Sequence, residues 1–177
     1  MRTETITRTI YTFEELTPEA QAKALDNCRY INLDDFWHEA DYEDAERAGL
    51  KITSFDLDRN RHAAGYFIGT AQECANLIIA NHGEQCETYT TAKKFLSSWA
   101  QAVKDHSDGI NTDQVSEDKE DDFDEVADEL EKDFLQSILE DYSIILQKNY
   151  EYLYTDEAVK ETIIANDYEF TEDGERI

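Results

Sequence analysis

The chain has 177 residues, is 40% hydrophobic and 11% aromatic, and carries a formal net charge of −26. That length suits one domain with a real core, and the apolar content argues against wholesale disorder despite the charge. Broad-surface binding to DNA, RNA or an anionic membrane is excluded, because it needs Lys and Arg to neutralise phosphates.

From the N-terminus, residues 3–13 alternate polar and β-branched side chains and predict a strand. Leu16-Thr17-Pro18-Glu19-Ala20 then reads as a helix start, with Thr17 as N-cap and Pro18 in the first turn. This helix places Ala24, Leu25 and Cys28 on one side. Asn32 or Asp34 is expected to cap the next helix, which buries Leu33, Phe36, Trp37 and Ala40 and stops at Gly49. Its outer face carries Asp34, Asp35, Glu39, Asp41, Glu43 and Glu46.

A β-hairpin follows. Ile52, Phe55 and Leu57 are strand material on one side, Tyr66, Phe67 and Ile68 on the other, with turn residues between. AQECANLIIANHG predicts a helix ending near Gly83. The next helix spaces Phe95, Leu96, Trp99 and Val103 three to four apart. Residues 106–121 are polar, lack apolar periodicity and read as an exposed loop. A long helical stripe then runs through Phe123, Val126, Ala127, Leu130, Phe134, Ile138, Tyr142, Ile145 and Leu146. Thr155 and Asp156 recap a short helix, and the chain closes on a strand with a turn at Asp173-Gly174.

The expected fold is α+β, a single domain over 1–177. A small antiparallel sheet of about four strands is covered by five to six helices, one of them long. The first and last segments are candidates to pair in that sheet. The opening MRTETITRTIYTF lacks the apolar core of a signal peptide and no run reaches transmembrane length, so the expected location is cytoplasmic. Cys28, Cys74 and Cys86 form no CxxC and are expected as small core hydrophobes.

Catalytic and metal signatures are weak. Asp56-Leu57-Asp58-Arg59-Asn60 begins like a calcium loop, but Arg61 and Phe67 stand where the loop needs Gly and Glu, so a hairpin turn is preferred. Cys74, His82 and Cys86 match no common zinc spacing and read first as packing residues. No nucleophile elbow, Cys-His pair or phosphate loop is recognisable. The reading is a protein that is not an enzyme and needs no cofactor. Tyr142, Tyr150, Tyr152 and Tyr154 are taken as core and sheet-covering residues, with a binding platform as the alternative.

The acidic helix faces are the outlying feature. On the long helix Asp121, Asp124, Glu125, Asp128, Glu129 and Glu131 are expected to point away from the apolar stripe, with Asp122 beside them, opposed locally by Lys119 and Lys132. Side chains three or four apart on a helix are about 5–6 Å from each other, so such rows imitate the charge spacing of a nucleic-acid backbone. Like charges at that spacing repel by a few tenths of a kcal/mol per pair, relieved in part near the helix N-terminus. Mixed Glu/Lys pairing would make a more stable wet face. The candidate partner-binding residues are these seven with Asp34, Asp35, Glu39 and Glu43. Solubility, adaptation to high salt and divalent-cation binding remain competing explanations for the charge.

The opening IYTFEELTPEAQAKAL and the closing IIANDYEFTEDGERI resemble the two ends of a family of small, largely uncharacterised phage- and prophage-encoded acidic proteins. The middle departs from that family, where a more aromatic, Gly-rich hairpin stands in place of DRNRHAAGYFIG. The resemblance supplies no catalytic residues. It implies an accessory phage product made in a bacterial cytoplasm. By analogy with other small acidic phage proteins, it implies an inhibitor of the anti-CRISPR or anti-restriction kind. The expected partner is a basic protein, a host nucleic-acid-binding enzyme or CRISPR effector. The alternatives are an assembly protein that forms homo-oligomers through the long helix, and a metal-binding enzyme.

Overall fold

Threonines set the helix starts. Thr17 and Thr155 each accept a hydrogen bond from the backbone N–H three residues on, at Ala20 and Ala158. Thr70 forms a full capping box with Glu73, each side chain satisfying the other's backbone N–H. The computed structural model describes the backbone of residues 8–33, 36–109 and 117–177, and their side chains outside 108–122. In chain order the elements are β1 (Tyr11–Thr12), a 3-10 turn (Phe13–Glu15), α1 (Pro18–Asn27), α2 (Glu39–Arg47), β2 (Leu50–Asp56), β3 (His62–Phe67) and α3 (Ala71–Asn81). They continue with α4 (Glu87–Gly109), α5 (Glu117–Leu153), α6 (Asp156–Ala165) and β4 (Glu169–Phe170).

The chain divides into two compact units. One joins the residues up to Trp37 with Lys148–Ile177. Here β1 pairs antiparallel with β4, Tyr11 opposite Phe170 and Thr12 opposite Glu169. Phe13, Leu16, Ala20, Ala24, Cys28, Val159, Ile163 and Phe170 form its core. The Phe13 and Phe170 rings meet edge to face at 6.3 Å.

The other unit is His38–Gln147. The β2–β3 hairpin is antiparallel, with a register shift between Ile52 and Ser54. Leu50 and Ile52 are buried with Ala45, Ala75, Ile78 and Ala92, and with Phe134, Ile138 and Tyr142 from α5. Gly49 follows Ala48, the C-cap of α2, at φ 80°, where a residue with a Cβ would be strained.

The α+β class holds, and so does the pairing of the first and last segments. The expected single sheet does not. Among the described residues the strands form two separate two-stranded ribbons. Each ribbon serves a different core, so no strand is left to bridge them. The helix expected from residue 33 begins only at Glu39. Asn32 is not its cap, because the amide donates to Leu153 O at 3.2 Å and accepts from Thr162 Oγ1 at 2.6 Å. Phe36 is 68% exposed. Helix also takes over much of the expected 106–121 loop, since α4 runs to Gly109 and α5 starts at Glu117. Residues 110–116, and with them the middle of that loop, lie outside the described residues, as do residues 3–7 of the expected first strand.

Candidate partner-binding surface

The orientation of α5 is set by its aromatic anchors. Phe134 stacks on Phe95 of α4 at 4.4 Å and on Phe67 of β3 at 5.4 Å. One end is held by Phe123, which meets Trp99 at 6.1 Å and His106 at 4.8 Å. Ile138, Leu139, Tyr142 and Leu146 are buried further along. With that side committed to packing, the helix has to turn Asp124, Glu125, Asp128 and Glu129 outward, and all four are exposed. Asp133, one turn beyond Glu129, continues the row and was not among the expected residues. The i, i+4 step from Glu129 is the sequence signal that marks it. Among the described residues no Lys or Arg nitrogen comes within 4.0 Å of these five carboxylates.

Two members of the expected stripe and row behave differently. Val126 is 45% exposed, beside the carboxylates and not beneath them. Glu131 is half-buried, on the flank facing the packed side. Asp121 and Asp122 lie in α5 with their side chains outside the described residues, and Asp34 and Asp35 lie outside them altogether.

Acids on α2 have local counter-ions. Glu39 and Glu43 are exposed, but Arg47 lies 3.9 Å from Glu43 and 3.6 Å from Asp44. Glu46 pairs with Lys51. Asp44 is a packing residue. It accepts a 3.0 Å hydrogen bond from the Tyr142 hydroxyl, and His82 Nε2 lies 3.5 Å from the same oxygen. His82 Nδ1 in turn contacts Thr88 Oγ1 at 2.8 Å. Thr88 and Tyr142 are buried, so this polar chain stitches the unit together and leaves no accessible nucleophile. Nothing in the sequence flagged Asp44, because its partners are distant in the chain.

The residues weighed for a metal or calcium site have other contacts here. Both ring nitrogens of His82 face protein oxygens. Cys74 is buried and its thiol is pushed up to about 12 by burial. Cys86 is exposed, against the expectation of a core residue, whereas Cys28 and Cys74 are buried as expected. Among the described residues no three His, Cys, Asp or Glu side chains are grouped to hold a metal ion. Asp56 Oδ1 accepts from the backbone N–H of Asp58 at 2.8 Å, which closes the hairpin turn.

Tyrosines near the α5 C-terminus also separate. Tyr142 is core, but Tyr152 and Tyr154 are 52% and 40% exposed. No helix among the described residues is long and apolar enough to cross a membrane. No family model, curated protein or solved structure matches the chain.

Proposed function

We propose that the protein is a phage-encoded inhibitor of a host defence nuclease, of the anti-CRISPR or anti-restriction type. It acts without catalysis in the bacterial cytoplasm. Its acidic helix face occupies the basic channel in which the target holds nucleic acid. The observation that carries this reading is the row Asp124, Glu125, Asp128, Glu129 and Asp133, held by α5 with Lys132 as its one cation within a turn and with no ion pair within 4.0 Å among the described residues. A solvated face selected only for stability would pair its acids with cations, as α2 does through Arg47, whereas Lys132 of α5 makes no ion pair within 4.0 Å among the described residues. Long-range attraction from a net charge of −26 would speed encounter with a basic channel and fade as salt rises. The phage-like chain ends supply the biological setting.

The assembly alternative draws no support from the helix stripe. Its larger members, Phe134, Ile138, Tyr142 and Leu146, are already buried within the chain.

Phage plating tests the proposal in hosts carrying a restriction or CRISPR system matched to the phage. Expression of the protein should restore plaques in at least one such host. The combined variant Asp124→Lys, Glu125→Lys, Asp128→Lys, Glu129→Lys should fold normally and fail to restore them. Equal protection by the variant would remove the acidic face from the mechanism.

A further inference from the structure

The unit formed by the chain ends exposes an aromatic ladder. Tyr30 meets Tyr154 edge to face at 5.4 Å, Tyr154 stacks parallel to Tyr150 at 6.5 Å, and Tyr150 meets Trp37 at 5.7 Å. Tyr30 is 66% exposed and Tyr154 40%. Such a cluster is buried when its role is core packing, yet the outer rings of this one stay open to solvent.

Asp156 stands at its edge, paired with Arg29, and Glu151 adjoins Tyr150 in the chain, both exposed, with Lys148 as the nearby exposed cation in the sequence. One cation is already seated there. Arg29 places its guanidinium carbon 5.4 Å from the Tyr154 ring centre while pairing with Asp156 and donating to Tyr154 O. The chain thus shows with its own side chain how an arginine binds this surface: a π face beneath the guanidinium and a carboxylate at its edge.

We propose that the Tyr30–Tyr154–Tyr150–Trp37 ladder docks arginine side chains of a basic protein partner, with Tyr30 as the open π face. This deepens the reading of the protein as an inhibitor of a basic target and rests on it. Charge complementarity selects the occupant. Exposed rings could also stack nucleobases, but the carboxylates around them repel phosphates. The acidic row of α5 supplies long-range attraction, and the ladder supplies a short-range contact that survives salt.

The test uses synthetic peptides of alternating Gly and Arg, with Lys and citrulline counterparts, titrated into the intact protein at low salt and at about 0.5 M salt. Binding is followed by calorimetry and by tryptophan fluorescence. The Arg peptide should bind at both salt levels, ahead of Lys, with citrulline weakest. Tyr30→Leu with Tyr154→Leu should weaken binding about five- to tenfold at high salt, while Tyr30→Phe with Tyr154→Phe should leave it intact. Neutralising the α5 row should reduce only the low-salt component.

Leu variants that bind like the parent would overturn the ladder and leave the α5 reading standing if the row variant still loses low-salt binding. Should the ladder variants lose binding while the row variant does not, the ladder stands and the α5 reading fails. Tighter binding of a thymidine oligonucleotide than of the Arg peptide would overturn the proposal. So would a change of sedimentation in the Leu variants, which would assign the surface to a second copy of the chain.

Discussion

The hydroxyl of Tyr142 donates to Oδ2 of Asp44 across 3.0 Å, tying the middle of α5 to α2. Tyr142 is fully buried, and burial followed by the charge of Asp44 drives its phenol well above the usual range. The group is therefore a donor at neutral pH. This bond adds to the Phe123 and Phe134 contacts that set the rotation of α5, and hence the direction in which Asp124, Glu125, Asp128 and Glu129 point.

Removing the two partners should have unequal effects. Tyr142→Phe leaves a carboxylate that water can reach, and should cost about 1 kcal/mol. Asp44→Ala strands a buried hydroxyl, and should cost about 2 kcal/mol. Urea unfolding followed by circular dichroism measures both. The reverse order would mean that the bond does not carry the packing.

Asp141 sets a pH dependence of known sign. Burial raises its carboxyl above the ordinary range, opposed by the hydrogen bond it accepts from Thr91 Oγ1 at 2.6 Å. A group whose folded pKa is raised contributes stability in full below its unfolded pKa and loses it as pH rises through the folded pKa. At neutral pH the charged form is therefore a net cost to folding. Asp141→Asn keeps an acceptor for Thr91 and should melt higher than the parent at neutral pH. That gain should close as the solution is acidified. Melting curves across that range decide it, and a gain that grows in acid would refute the sign.

How much of this was legible in the sequence depends on how local the signal is. Thr17 and Thr155 announce their helices because a cap needs only the next three residues. The hairpin is legible for the same reason. Two separate ribbons in place of one sheet were not, since the sorting of strands between two cores is a long-range outcome. The acidic row was half legible. Periodicity placed Asp124, Glu125, Asp128 and Glu129 outward, but the turn of α5 that half-buries Glu131 and exposes Val126 comes from Phe123 and Phe134 docking on α4. Exposure of the tyrosine ladder was hidden because Tyr30 and Trp37 lie far in the chain from Tyr150 and Tyr154.

Gly65 gives a test of the hairpin that does not depend on charge. A Cβ there would sit 2.3 Å from the carbonyl oxygen of Lys51 and 3.1 Å from a Leu139 methyl. Gly65→Ala should force the two strands apart and cost about 2–3 kcal/mol. Gly83→Ala, with nothing within 4 Å of the added methyl, should change stability by less than about 0.5 kcal/mol. Chemical denaturation of the two variants side by side checks the contrast, and equal effects would rule out the close approach.

Salt-gradient elution from a pull-down tests the central claim most directly. The immobilised protein and its Asp124→Lys, Glu125→Lys, Asp128→Lys, Glu129→Lys variant are each loaded with bacterial lysate treated with nuclease. Bound proteins are eluted with rising salt and assayed for binding to labelled DNA. The parent should retain a basic, DNA-binding protein, added DNA should displace it, and the variant should retain none. Retention of the same protein by the variant, undisturbed by DNA, would contradict the claim.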